Sequence, residues 1–112
     1  MAVARFQIYR SAPAGVTWRF LSANNRSLGQ AVGSFPSVDA CALAVARLRE
    51  SLAGSTPAVA RDTQLWSWRL RLGAADVAVS SRKYHRRVQA QHACRSFLEL
   101  VVEAPVATAE HF

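Results

Sequence analysis

The chain repeats itself at an interval of about 50 residues, and this periodicity limits its fold more than any other feature. The repeated positions are aromatic, arginine and aliphatic: Trp18-Arg19-Phe20 recurs as Trp68-Arg69-Leu70, Phe35 lies opposite Tyr84, and Val38 and Leu48 match Val88 and Leu98. The register holds to within one residue. Self-similarity at a fixed period of this length indicates two copies of one supersecondary unit.

The first copy reads as a hairpin, a short strand and a helix. Apolar and polar residues alternate at residues 6–9 and 16–20, which is the two-residue period of half-buried strands. A short strand is predicted at residues 28–32. Ser37 is the expected N-cap of a helix that ends near Gly54. The apolar stripe of this helix has the spacing of one helical face: Val38, Cys41, Ala42, Val45 and Leu48.

The second copy follows the same order with weaker signals at its start. Residues 66–72 alternate between apolar and polar side chains, and this is the clearest half-buried strand in the chain. A further strand is expected at residues 77–80 and a helix at residues 88–101. Residues 57–63 lack the aromatic side chains of the first copy, so the first strand of this copy is predicted to be short or lost.

These patterns predict an α+β fold in one domain, residues 1–112, built from tandem β-β-β-α repeats. We expect antiparallel sheet strands packed against two helices. The first unit spans residues 4–52 and the second, degenerate unit spans residues 57–102. Residues 103–112 are predicted to be a frayed or docked C-terminal tail.

Five aromatic and sulfur-containing side chains are expected in or beside the core. Trp18, Trp66 and Trp68 occupy strand positions that would build the core between sheet and helices. Cys41 and Cys94 lie in the helical patterns without metal-binding spacing, so we expect reduced, buried thiols at corresponding places in the two copies.

Several short motifs follow one another in the first copy: Phe6-Gln7-Ile8-Tyr9, Trp18-Arg19-Phe20, Asn24-Asn25, Gly33-Ser34-Phe35 and a Ser-capped helix. This order resembles the YegP-like family, also called the domain of unknown function 1508, which often occurs in tandem. The second copy departs from it, with Gly73-Ala74-Ala75-Asp76 at the turn and Arg82-Lys83-Tyr84 in place of Gly-Ser-Phe. The resemblance covers nearly the whole chain. It implies paired β-β-β-α units about a pseudo-twofold axis, and no activity, because the family is largely uncharacterised.

The sequence contains no pattern typical of catalysis, metal binding or cofactor binding. His85, His92 and His111 have no carboxylate or cysteine at a ligand interval, so exposed polar histidines are expected. The seven Asp and Glu residues show no paired arrangement, and phosphate-binding loops and nucleophile elbows are missing. We therefore expect no enzyme, no metal site and no cofactor.

The strongest functional signal is a basic segment. The chain has 14 Lys and Arg against 7 Asp and Glu, a net charge of +7, and residues 81–95 contain no acidic residue. This run leads into a helix N-terminus, which favours anions. The candidate anion or nucleic-acid contacts are Arg82, Lys83, Arg86, Arg87 and Arg95, extended by Arg69, Arg71 and Arg19 on the strands, with Tyr84 to stack a base. The alternative is a solvated charged surface.

Three classes of function remain open. The first is a non-catalytic interaction or scaffold module, monomeric or homodimeric through a strand edge. The second is a non-sequence-specific nucleic-acid-binding protein that uses residues 82–95. The third, an enzyme, has the least support. Nucleic acid or an acidic protein is the expected partner. No apolar run approaches the ~18 residues of a membrane span, so we expect no membrane and a cytoplasmic location.

Overall fold

The computed structural model describes residues 3–11 and 15–108 and contains the order β-β-β-α twice, followed by a short strand. The elements are β1 (Arg5–Ser11), β2 (Gly15–Leu21), β3 (Ser27–Gln30), α1 (Val38–Ser51), β4 (Thr56–Asp62), β5 (Leu65–Leu72), β6 (Ala75–Ser80), α2 (Arg87–Val101) and β7 (Val106–Thr108). A single 3₁₀ turn, Leu52–Gly54, follows α1. In the described part of the chain, neither helix has the length and apolar content that crossing a membrane requires.

The seven strands form one mixed sheet in the order β4-β5-β6-β3-β2-β1-β7. Neighbours among β1 to β6 are antiparallel, and the two halves join where β3 pairs with β6. β7 instead runs parallel to β1, with Val106 opposite Phe6. The prediction of an antiparallel sheet is therefore wrong at this edge. Part of the predicted tail docks here because the amide of Phe6 donates to the Pro105 carbonyl at 2.9 Å; residues 109–112 lie outside the described residues.

The first strand of the second half is present, and the prediction that it is short or lost is wrong. β4 has seven residues and pairs with β5 along its whole length, from Thr56 opposite Arg71 to Asp62 opposite Leu65. Its side chains are mostly exposed or half-buried. A strand at the sheet edge needs only backbone pairing on one side, so it forms without the aromatic residues that mark β1.

Both helices pack on the same face of the sheet around one core. The Phe97 ring of α2 lies edge-on to Phe20 of β2, with ring centroids 5.4 Å apart, and 4.8 Å from the centroid of Trp68 in β5. α1 adds Cys41, Val45 and Leu48 to the same cluster. The expected core tryptophans Trp18 and Trp68 are buried, whereas Trp66 is only half-buried.

Both cysteines are buried and unlinked, as predicted, but they do not occupy corresponding places. Cys41 is the fourth residue of α1 and Cys94 is the eighth residue of α2. The two positions differ by about one helical turn, so each thiol still faces the core. Burial raises the pKa of each thiol to about 11.

Candidate functional site

The two predicted arginines of β5 lie on the sheet face that no helix covers. Trp68 and Leu70 point into the core. Because successive side chains of a strand point to opposite faces, Arg69 and Arg71 point away from the core. Both guanidinium groups are paired with Asp76 of β6, at 2.8 Å and 3.0 Å. The single carboxylate of Asp76 thus partly neutralises the positive charges of both arginines.

The equivalent arginine of the first half lies on the same uncovered face. In the backbone register of the sheet, Arg19 of β2 lies opposite Gln30 of β3, and Gln30 lies opposite Val79 of β6. Val79 in turn lies opposite Arg69 of β5, so the row crosses four neighbouring strands. Three strand spacings separate the two arginines, about 14 Å. The Arg19 guanidinium donates to Gln7 Oε1 at 2.7 Å and lies 4.8 Å from the centre of the Tyr9 ring.

Three more of the predicted residues are engaged near the start of α2. Lys83 forms an ion pair with Asp62 at 2.9 Å and holds the pKa of that carboxyl below its usual value. The Arg87 guanidinium lies 6.0 Å from the centre of the Trp66 ring. Tyr84 exchanges two backbone hydrogen bonds of 2.7 Å with Trp66 and is half-buried against the core, which raises its pKa. The Tyr84 ring is therefore part of the packing.

The remaining predicted residues are Arg82, Arg86 and Arg95. All three are exposed, and none has an ion pair among residues 3–11 and 15–108. The structure therefore separates Arg69 and Arg71, which Asp76 compensates on the open sheet face, from Arg82, Arg86 and Arg95, which have no ion pair in the described chain. Arg82 and Arg86 precede α2, whereas Arg95 is its ninth residue, about 12 Å along the helix from its start.

The start of α2 also differs from the start of α1. In α1 the Ser37 hydroxyl accepts the Ala40 amide at 3.1 Å, and Asp39 lies in the first turn. In α2 the Arg86 side chain has no acceptor to offer, and the Gln89 side chain instead accepts the Arg86 amide at 3.1 Å. The first turn of α2 has no acidic residue, so its positive end is not compensated locally.

A second surface, which the sequence analysis did not identify, is a groove of about 570 Å³ beside α1. It lies between α1, residues 31–35 after β3, and the end of the β5–β6 hairpin. Three large hydrophobic side chains on its lining remain exposed: Val32 at 53%, Leu43 at 51% and Leu72 at 38%. Trp18 and Leu48, both buried, also line it and connect the groove to the core.

Small side chains on α1 leave room for this groove. Cys41 and Val45 are buried in the core, and Ala40 and Ala44, one position before each, line the groove. A methyl side chain leaves space that a longer side chain would fill. Counted from the first helical residue, His92 of α2 stands at the position of Leu43, so the second helix lacks this apolar side chain.

Backbone hydrogen bonds hold the opposite wall of the groove. The chain returns to the sheet at Phe35, whose amide donates to the Val16 carbonyl at 2.6 Å and whose carbonyl accepts the Val16 amide at 3.1 Å. The Thr17 hydroxyl donates to the Gly33 carbonyl at 2.8 Å. Residues 31–35 are therefore fixed to β2.

The charged lining of the groove consists of Arg47 and Asp76. Asp76 is bound to Arg69 and Arg71, as described above. Arg47 is exposed, and its guanidinium has no ion pair in the described part of the chain. The groove is thus mainly apolar, with one uncompensated positive charge at its rim.

A sequence signal for the groove exists but is weak. Leu43 lies outside the apolar stripe of α1, so it is a large apolar residue where a polar one is the norm. Leu72 continues the apolar alternation of β5 and gives no such signal, and its exposure is known only from the structure. Isolated exposed leucines are common in proteins. Only the fold brings Val32, Leu43 and Leu72 to one groove.

The described residues contain no group of three His, Cys, Asp or Glu that could hold a metal ion. His85 and His92 are exposed, as expected from the sequence, and His111 lies outside the described residues.

Two solved structures share this fold. The solution NMR structure of YegP from E. coli, a protein of unknown function, aligns with a TM-score of 0.75 and 12% identity, over 96% of this chain and 94% of that one. The solution NMR structure of a UPF0339 protein from Shewanella oneidensis aligns with a TM-score of 0.77 and 11% identity, also over 96% of this chain and 94% of that one. No family model and no curated protein matches the chain. The resemblance to YegP-like proteins is therefore confirmed at the level of the fold.

Proposed function

We propose that this protein is a small, non-catalytic binding module that takes up apolar ligand groups in the groove beside α1. The observation that carries the proposal is the convergence of Val32, Leu43 and Leu72 on one groove, although each is at least 38% exposed. Exposed apolar side chains gathered in a concave surface are typical of binding sites, whereas scattered ones are not.

The size of the groove and the attachment of its walls support this function. Its volume of about 570 Å³ falls within the roughly 300–1,000 Å³ of small-molecule sites. One wall is a helix packed on the core, and the other is fixed by the Val16–Phe35 backbone pair. A site that is already formed loses little conformational entropy on binding.

A neutral fluorescent probe, N-phenyl-1-naphthylamine, tests the proposal. We expect saturable binding with enhanced emission, weakened at least fivefold by Leu43→Gln. The matched control is Leu100→Gln, because Leu100 is also a helical leucine, 42% exposed, but lies outside the groove. No saturable binding, or an equal loss in both variants, would reject the groove as the binding site.

We propose further that the chain is an internal duplication with a pseudo-twofold axis between β3 and β6. Gln30 pairs with Val79, and these two residues hold the same position relative to Arg19 and Arg69. The isolated bridges Val16–Phe35 and Trp66–Tyr84 also correspond at shifts of 50 and 49 residues. Superposing β1–α1 on β4–α2 in an experimental structure tests this, and a rotation far from 180° would reject it.

We propose a monomer rather than a dimer joined through a strand edge. On one side of the sheet β7 pairs with residues 6–8 of β1, and this edge strand has only three residues, which opposes the addition of another strand. The outer edge of β4 carries Pro57, which has no amide to donate, and the charged Arg61 and Asp62, features that oppose the addition of a strand. Light scattering should give a mass of about 12.2 kDa. A mass of twice that value would contradict the proposal.

Nucleic-acid binding remains the second candidate function. One observation favours it: Arg82, Arg86 and Arg95 have no ion pair among the described residues, and the first turn of α2 has no acidic residue. Phosphates are the anions that arginine clusters and helix N-termini bind best. The salt dependence of binding, given in the Discussion, tests this candidate.

A further inference from the structure

Building on the proposed function, we propose that the ligand of the groove is a small apolar carboxylate whose acid group pairs with Arg47. The groove supplies an apolar cavity and one uncompensated positive charge at its rim. Size, charge and hydrogen-bonding capacity each narrow the class of ligand.

The size of the groove favours a small molecule over a protein partner. Sixteen residues line it, and a standard protein interface uses about 20–30 residues on each side. Six of the sixteen lie on α1 between Ala40 and Ser51, eleven residues apart, which corresponds to a length of about 16 Å. This length and volume suit a compact ring system or an extended chain of about ten carbon atoms.

The charge of the lining favours an anion. Asp76 is held by two guanidinium groups at 2.8 Å and 3.0 Å, so its negative charge is compensated within the protein. Arg47 has no carboxylate beside it in the described chain. Arg47 would repel a positively charged group on the ligand, and a neutral ligand would form no ion pair with it.

The hydrogen-bonding capacity of the rim points in the same direction. The Ser51 and Ser55 hydroxyls already donate to the carbonyls of Arg47 and Leu52, at 2.7 Å and 2.6 Å. Two of the donors still available on the lining are the Arg47 guanidinium and the Ser34 hydroxyl, which has no partner among the described residues. A ligand end that only accepts hydrogen bonds, as an ionised carboxylate does, matches these two donors.

Displacement of bound N-phenyl-1-naphthylamine at pH 7.5 tests this inference with three probes of equal chain length. We expect decanoate to displace the dye at a concentration about two- to fivefold lower than 1-decanol does, the upper part of the range for one exposed charged contact. Decyltrimethylammonium should be the weakest competitor. Decanoate equal to or weaker than 1-decanol would overturn the inference.

Substitution of Arg47 separates a local ion pair from the general attraction of a basic protein for anions. Arg47→Gln should remove the preference for decanoate and leave 1-decanol unchanged, and Arg47→Glu should favour decyltrimethylammonium. Arg95→Gln makes the same charge change on α2, outside the groove, and should keep the preference. A preference that survives Arg47→Gln, or that is lost equally in Arg95→Gln, would overturn the assignment to Arg47.

The outcomes distinguish this inference from the proposed function. If the neutral dye does not bind, the groove is not a binding site and both fail. If the dye binds but decanoate has no advantage, the binding module stands and the carboxylate is rejected. An eleven-residue amphipathic peptide of Leu and Glu that displaces the dye at lower concentration than decanoate would assign the groove to a protein partner instead.

Discussion

The indole ring of Trp68 occupies the space beside Gly29, because its Cη2 atom lies 2.9 Å from the point where a β-carbon at residue 29 would stand. Two ring carbons of Phe97 lie 3.0 Å and 3.1 Å from the same point. The backbone of β3 thus passes directly against two buried aromatic rings that belong to the other half of the chain. Any side chain at residue 29 has to move both rings.

Gly29→Ala is therefore expected to destabilise the protein by about 1–3 kcal/mol, the usual range for overpacking a core. Urea denaturation measures the change in the free energy of unfolding. Gly54→Ala is the control, because a β-carbon there would meet no atom within 4 Å. Equal stability of Gly29→Ala and the natural protein would show that the rings are not fixed as described.

Phe97→Ala is expected to cost about 3–5 kcal/mol of unfolding free energy, because it removes a fully buried ring between Phe20 and Trp68. Thermal and urea denaturation both measure this loss. Leu100→Ala, at an exposed site on the same helix, should change stability by less than about 0.5 kcal/mol. Near-natural stability of Phe97→Ala would contradict the shared core.

The two buried thiols predict a loss of stability at alkaline pH. Their pKa values are raised from an ordinary 9.0 to about 11 in the folded protein. Above pH 9 the unfolded chain therefore releases thiol protons that the folded chain still holds, so the free energy of unfolding falls as the pH rises from 9 to 11. Below pH 8 both thiols are protonated in the folded and unfolded chains, so they do not change the free energy of unfolding with pH.

Urea denaturation between pH 7 and pH 10.5 measures this effect, with the Cys41→Ala and Cys94→Ala double variant as the comparison. The variant has lower stability at pH 7, because small cavities remain, but a shallower decline above pH 9. Identical slopes in the two proteins would show that the thiols titrate alike in the folded and unfolded states.

Nucleic-acid binding through Arg82, Arg86 and Arg95 predicts a steep, local salt dependence. Each phosphate contact on duplex DNA contributes about 0.9 to the slope of log affinity against log salt. Replacing Arg82, Arg86 and Arg95 with alanine should reduce the slope by about two to three, since none of the three has an ion pair in the described chain.

The control for this experiment removes the same charge elsewhere. Arg10, Arg26 and Arg61 are exposed and lie in β1, the β2–β3 turn and β4. Their triple alanine variant should leave most of the slope unchanged. An equal reduction in both triple variants would mean that the protein at +7 attracts polyanions through its whole surface.

Sequence patterns predicted the elements whose residues alternate between core and solvent. The period of two in residues 66–72 identified β5, because Trp68 and Leu70 are buried and Arg69 and Arg71 are not. The helical stripes identified α1 and α2 for the same reason. β4 has mostly exposed side chains, so backbone pairing decides its structure and no such pattern marks it.

The two candidate surfaces depend on contacts between distant segments, which periodicity does not reveal. The acid-free run of residues 81–95 was visible in the sequence, but the pairing of Lys83 with Asp62 needs the β4–β5 hairpin to place Asp62 nearby. The groove combines a helix, a loop and a hairpin end, each unremarkable when read alone. Arg47 gains its significance only from its position on that groove.

The parallel pairing of β7 with β1 also determines when the sheet is completed during protein synthesis. One hundred positions separate Phe6 from its partner Val106, and a ribosome adds about 5–20 residues per second. The outer edge of β1 therefore stays unpaired for about 5–20 s while the rest of the chain is made. A nascent chain of this protein exposes a strand edge to its neighbours on a polysome until residues 106–108 emerge.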